Sequence, residues 1–215
     1  MKPRPIQSKR RYVLSFVIGT IAFLLVFLIS YSISYLEFMR ISGYQDMSAY
    51  DIFEEKIDYS LFNPNFCSQK SFEEISTALG FQGRIIDDLE RKLGKNDKRV
   101  LFRKKFYTLV ELEHFDFVRT LQKECDLDMH TVLFFYSNEE HLISDSEDLG
   151  KLLSVFYERN PNMMIYSFDV NLDSELIEKL MYKYHVEEPL TVIINERYMA
   201  VNPKTIEELE KYLEE

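Results

Sequence analysis

Residues 131–137 read Thr-Val-Leu-Phe-Phe-Tyr-Ser, an unbroken β-branched and aromatic run. Strict alternation would mark a strand with one wet face; a continuous apolar run marks a strand covered on both faces. Helical layers are therefore expected around it. Downstream, Ser146 is a candidate cap for a helix beginning at Glu147-Asp148. Leu149, Leu152, Leu153 and Phe156 fall on one stripe of that helix, and Asn160-Pro161 ends it. Met163 to Val170 is a second strand. Asp173 then caps a helix carrying Leu176, Ile177, Leu180, Met181 and Tyr184, and Pro189 opens the strand Leu190 to Ile194. A hairpin through Asn195-Glu196-Arg197 returns Tyr198 to Val201 antiparallel to it. Asn202 as cap and Pro203 at the first helical position then launch a last helix with Ile206, Leu209 and Leu213. The order over residues 128–215 is βαβαββα, an α/β domain for which the alternation predicts right-handed parallel crossovers and an antiparallel edge.

Residues 37–127 read as a small α-helical module. Ser48 begins an amphipathic piece (Tyr50, Ile52, Phe53, Ile57) that stops before the turn Asn63-Pro64-Asn65. Ser71-Phe72-Glu73-Glu74 has the capping-box spacing, with Gly80 as its expected end. Ile85, Ile86, Leu89 and Leu93 continue an apolar face to Gly94. A longer helix from about Lys98 to Cys125 is expected to turn Phe102, Phe106, Leu109, Val110, Phe117 and Leu121 inward. Arg103-Lys104-Lys105 reads as a solvated face of that helix, and His114 as a packed or surface residue.

Tyr12 to Leu36 contains 25 consecutive uncharged residues, which as a helix would be about 37 Å long. That length crosses a bilayer with some tilt. It exceeds the apolar region of an ordinary signal peptide, although Ser32 and Ser34 stand at a cleavage-like spacing. An uncleaved single-pass anchor over residues 12–36 is the expectation. Lys2, Arg4, Lys9, Arg10 and Arg11 precede it, while Glu37, Asp46, Asp51, Glu54 and Glu55 follow. By the positive-inside rule, residues 1–11 form a basic cytoplasmic tail and the rest lies on the extracytoplasmic side of the cell membrane.

Removing that basic tail from 26 Lys+Arg and 36 Asp+Glu leaves 21 basic against 36 acidic residues. Nucleic-acid affinity rests on clustered cations that release counterions, so a nucleic-acid partner is excluded as an expectation. His114, His130, His141 and His185 lack metal-ligand spacing, and the chain carries no P-loop, Gly-x-Gly-x-x-Gly or Gly-x-Ser-x-Gly. No metal, cofactor or catalytic residue is expected. His141 with Asp145 is the one acid/base or metal pair the loop 138–146 could offer, against the simpler reading of a solvated loop.

Asp169-Val170-Asn171 leads into a helix and then into Met181-Tyr182-Lys183-Tyr184-His185-Val186-Glu187-Glu188-Pro189-Leu190-Thr191-Val192-Ile193-Ile194-Asn195. With the βαβαββα order, this resembles the thioredoxin superfamily, in particular membrane-anchored thioredoxin-like proteins with an added helical segment. The resemblance covers about residues 131–215. It implies that Pro189 is a cis-proline, and that Glu140, His141 and Ile143 face Glu188, Pro189 and Leu190 across a groove receiving an extended peptide or protein partner.

The defining Cys-x-x-Cys is missing, since no Cys follows Cys125. Its place is taken by 138–146, and acids rather than thiols open the next helix. The buried acid of thioredoxins would fall near Phe134 and is absent too. Loss of dithiol chemistry is inferred. Cys67 and Cys125 stand 58 positions apart in the exported part, and a structural disulfide between them is the preferred reading. Closing that loop contributes about 4 kcal/mol in the chain-entropy model. Unpaired thiols, or a thiol-disulfide oxidoreductase working through the two, are the alternatives.

Overall fold

The computed structural model describes residues 9–61, 69–125 and 127–213. One unit ends at Tyr44 and a second begins at Gln45. Helix α1, Lys9–Leu61, is continuous, so Ser48 starts no new helix. No proline lies between Pro5 and Pro64 to interrupt it. Its stretch Lys9–Leu36 is long and apolar enough to cross a membrane, and none of that stretch is buried. Thr20 and Ser32 return their hydroxyls to the Phe16 and Leu28 carbonyls, each at 2.9 Å, which hides these polar groups from an apolar medium. The turn Asn63-Pro64-Asn65 and Cys67 lie outside the described residues.

Helix α2 is Gln69–Leu93 and α3 is Lys98–Cys125. Two expectations are corrected in α2: Ser71 lies within the helix, and Gly80 does not end it. A glycine inside a helix costs only about 1 kcal/mol, which burial of Ile85, Ile86 and Leu89 beyond it offsets. Gly94, with φ at +91°, makes the stop. At Gly83 a Cβ would lie 3.0 Å from the Tyr107 hydroxyl oxygen, so the missing side chain lets α2 approach α3 closely.

The sheet comprises β1, His130–Tyr136; β2, Met163–Asp169; β3, Thr191–Ile194; and β4, Tyr198–Val201. Helices α4, Ile143–Arg159, and α5, Glu175–Lys183, connect the first three strands, and the short α6, Glu207–Glu210, follows β4. The spatial order is β2-β1-β3-β4. β1 and β2 are parallel, as expected, with Phe135 opposite Phe168. β3 runs antiparallel to β1, not parallel as the alternation predicted. The connection from β2 brings Thr191 opposite Phe135, at the carboxyl end of β1, where the Leu190 N–H bonds the Phe135 carbonyl at 2.7 Å. The chain therefore re-enters the sheet at the end it left.

Helix α4 begins at Ile143, four residues before the expected start, because Ser146 is engaged elsewhere: its hydroxyl donates to the Ser137 carbonyl at 2.8 Å. Asp173 caps nothing, and its carboxylate lies 3.0 Å from the Lys105 ammonium. The hairpin turns at Asn195 and Glu196, both at positive φ. Glu196 also holds Arg119 Nε at 2.5 Å and bonds the Tyr184 hydroxyl, pinning the turn to the helices beneath. The last helix starts after Ile206 rather than at Pro203, since Asn202 adopts φ of +48°.

Each sheet face carries its own apolar cluster. Leu133, Phe135, Tyr166, Phe168 and Ile193 pack with Val110, Phe115, Val118 and Leu121 of α3 and Leu180 of α5. Val132, Phe134, Val192 and Ile194 pack with Leu149, Leu153 and Phe156 of α4 and with Leu209. This double covering is what the run 131–137 predicted. Each such fully buried side chain contributes about 1.5–3 kcal/mol.

Helix α3 buries Val110, Phe117 and Leu121 and packs Phe106 on the core as expected, but departs from expectation elsewhere along its length. Phe102 is 64% and Leu109 46% exposed, while Arg103, Lys104, Thr108, Glu111 and His114 are buried. The reading of Arg103-Lys104-Lys105 as a solvated face is thus overturned for its first two members.

Candidate functional site

β1 and β2 end side by side, and the loops leaving their carboxyl ends interlock. The Ser137 hydroxyl donates to Asn171 Oδ1 at 2.7 Å, and the Asn138 N–H donates to the same oxygen at 2.9 Å. Asn171 Nδ2 donates to Glu139 at 3.0 Å. Asn138 Nδ2 donates to Asp169 Oδ2 at 2.7 Å, and the Asn171 N–H donates to Asp169 Oδ1 at 3.0 Å. Asp169, 4% exposed, is thereby held as a buried acceptor at the end of an edge strand.

Lys104 of α3 completes this buried charge cluster. Its ammonium bonds Asp169 and lies 2.8 Å from Glu90 Oε1 and 5.1 Å from the centre of the Tyr136 ring. Burial opposes the charge, yet Tyr136, Asp169 and Glu90 together hold the lysine above its ordinary pKa. Tyr136 is pushed above the ordinary phenol range by burial. One cation between two buried carboxylates is stable only with this full set of partners.

Two turns further along α3, Glu111 is 2% exposed. Its Oε1 accepts the Ser167 N–H at 2.9 Å, and its Oε2 is buried with no hydrogen-bond partner. Burial raises its pKa to about 8, partly opposed by the Ser167 N–H and Lys104. His114, fully buried, lies 2.8 Å from the Tyr166 hydroxyl through Nδ1 and 3.3 Å from the Ser76 hydroxyl through Nε2. Burial lowers it to about 4, so it is neutral at physiological pH.

These groups border two adjoining clefts along the outer edge of β2, of about 770 and 1040 Å³. Arg84 and Tyr107 on one side and Gly150 and Ser154 of α4 on the other line both, with Ile165 and Ser167 between. Lys104, Glu111 and Asp169 line the first; Leu153, Tyr157, Met163 and Met164 line the second.

The groove expected from sequence lies elsewhere. Glu140, His141 and Glu188 are exposed, Ile143 and Pro189 half-buried, and Leu190 is 4% exposed. None of the six lines either cleft. The expectation of a cis-proline is corrected: the peptide bond at Pro189 is trans. The reversal is made instead by Leu190 at φ +63°, with its N–H on the Phe135 carbonyl at 2.7 Å and its carbonyl accepting from Asn202 at 2.8 Å. The backbone of Leu190 is therefore already paired. His141 Nδ1 stands 3.6 Å from Glu139, on the surface. Among the described residues, no group of three or more His, Cys, Asp or Glu could hold a metal ion. Cys125 is not a free thiol and packs half-buried against the α3 side of the core.

The sequence reading missed Glu90 and Glu111 entirely and took Lys104, which is buried, for part of a solvated face. Asp169 was legible as an acid ending a strand, but no spacing joins it to Lys104, 65 positions away. No family model matches this chain, and no curated protein and no solved structure matches it either.

Proposed function

We propose that this chain is a single-pass, membrane-anchored, thioredoxin-like protein without a dithiol centre, whose extracytoplasmic part binds extended polypeptide. The observation that carries this reading is the open cleft lying along an edge strand of a sheet ordered β2-β1-β3-β4. An exposed strand edge offers backbone donors and acceptors to an added chain, and main-chain pairing is how sheets recognise extended peptides. The chain order βαβαββα that carries the resemblance to thioredoxins is kept, and the loop after β1 carries no thiol. Within this reading Cys67 pairs with Cys125. The latter is held at the amino end of β1, where Gln122 of the same helix end donates to the Met129 carbonyl at 2.6 Å. Pro189 lies by the carboxyl end of β1, which leaves an oxidoreductase role for the cysteines without support.

The test uses the full chain in lipid nanodiscs, panned against a displayed library of random dodecapeptides and assayed for insulin disulfide reduction. Enrichment of peptides that bind in the micromolar range, with no reductase activity, is the expected result. Failure to enrich any peptide, or reductase activity lost in C67S or C125S, overturns the reading.

A further inference from the structure

Sheet register fixes which backbone groups of β2 face outward. The Val170 N–H reaches the Tyr136 carbonyl and the Asn162 carbonyl accepts from His130, so even-numbered positions face β1. Odd positions face the cleft, and Ser167 confirms the parity because its N–H is taken by Glu111 of α3. Glu111 thus occupies the place where the carbonyl of a neighbouring strand would sit. Its second oxygen is buried without a hydrogen-bond partner, and Glu111 is among the residues that line the same cleft. Ile165, one step along the outward row, lines both clefts.

The cleft beside Glu111 carries five basic side chains, including Arg84, Lys104 and Lys151, and five acidic ones, including Glu90 and Glu147. With Glu111 protonated the lining is within one charge of balance, so it has no strong preference for an anion or a cation; a neutral, hydrogen-bonding chain is complementary. The adjoining cleft is lined by Leu153, Tyr157, Met163 and Met164, a surface for apolar side chains.

We infer that the binding site for extended polypeptide is the outer edge of β2, where a neutral segment with apolar side chains adds as a fifth strand and docks one backbone group on Glu111. This rests on the proposed function and moves its site away from Glu140, His141 and Pro189. A carboxylic acid has one acceptor and one donor, as a peptide unit does. In the protonated form Glu111 accepts from Ser167 and donates to a carbonyl of the incoming strand. The charged and titratable groups that act on it are Lys104 and Tyr107 of α3 and Tyr166 of β2. Loss of its proton near pH 8 removes the donor and weakens the added strand.

Gly150 supplies a test that spares the fold, because it lies in a helix, lines both clefts, and a Cβ there meets nothing within 4 Å. G150F fills the cleft at a helical position where phenylalanine improves on glycine in propensity. Library-selected peptides, measured by fluorescence polarisation on nanodisc-embedded chain, are expected to lose at least tenfold in affinity to G150F and to keep it with H141A or E188A. Alternate N-methylation of the peptide backbone is expected to cost as much. E111A is expected to weaken binding at every pH, and E111Q, with donor and acceptor both retained, to abolish the decline above pH 8. Selected peptides that bind G150F as tightly as wild type but are lost with H141A or E188A overturn the β2-edge site while leaving peptide binding standing. Absence of any selected peptide overturns both.

Discussion

Lys104 shows how much a single buried residue can hold. Its ammonium neutralises Glu90 and Asp169, neither more than 12% exposed at the side chain. K104M removes the cation and strands both carboxylates, which costs about 3–5 kcal/mol. Urea unfolding of the variant should show a loss of unfolding free energy of that size, read as the midpoint shift multiplied by the slope m, and an unshifted midpoint would show that the cluster is solvated. Glu111 makes the opposite case. Its folded pKa of about 8 lies above the unfolded value near 4.5. The folded state therefore keeps a proton that the unfolded chain releases, and stability falls as pH rises between those values. E111Q should raise the melting temperature at pH 8 and give progressively less benefit toward pH 5. The sequence disguised both residues. Phe102, Phe106 and Leu109 form a plausible inward stripe, but the stripe that packs runs through Val100, Lys104, Glu111, Phe115 and Val118, and two of its members are charged. Periodicity cannot find a buried face built partly from polar residues whose partners lie on other elements.

At the scale of elements, strand identity was legible wherever the pattern was local. The β1 run, the stop at Gly94, the length of α3 and the hairpin at Asn195-Glu196 all follow from neighbouring residues. Starts and directions did not. The beginning of α4 was set by Ser146 bonding to Ser137 across a loop, and the direction of β3 by the Leu190 N–H bonding the Phe135 carbonyl at the end of β1. The trans peptide at Pro189 became visible only once Leu190 was seen to make the turn. Two of the helical glycines, Gly83 and Gly150, separate packing from propensity. G150A should stabilise by about 0.5–1 kcal/mol, because nothing opposes its methyl group. G83A gains the same propensity but meets the Tyr107 hydroxyl at 3.0 Å, so its net effect should be smaller or adverse. Thermal denaturation of the pair gives the comparison directly.

For the whole molecule, the N-terminal helix and the acidic remainder are the features that composition made plainest. The stretch Lys9–Leu36, with no residue buried, is long and apolar enough to cross a membrane. The full chain should stay with membranes through an alkaline carbonate wash, and I21R with L25R should release it into the supernatant. Titration of the second unit is set by two opposed groups. His114, lowered to about 4 from 6.5, makes stability fall as pH drops through that window, and Glu111 makes it fall as pH rises from about 4.5 to 8. Where the windows overlap, between about 4.5 and 6.5, the two slopes cancel. Their sum is therefore a plateau followed by a decline of about 1.4 kcal/mol per pH unit toward pH 8, which chemical denaturation across pH can trace.

The contact between Ser167 and Glu111 also sets how fast deuterium enters β2. Amides at Met164, Tyr166 and Phe168 face β1 and should exchange only when the sheet opens. The outward amide of Ile165 should exchange far sooner. Ser167 is guarded by one side chain rather than by a strand, so its protection factor should follow the rotamer of Glu111. A single amide would then record, residue by residue in time, whether the edge of the sheet is latched or bare.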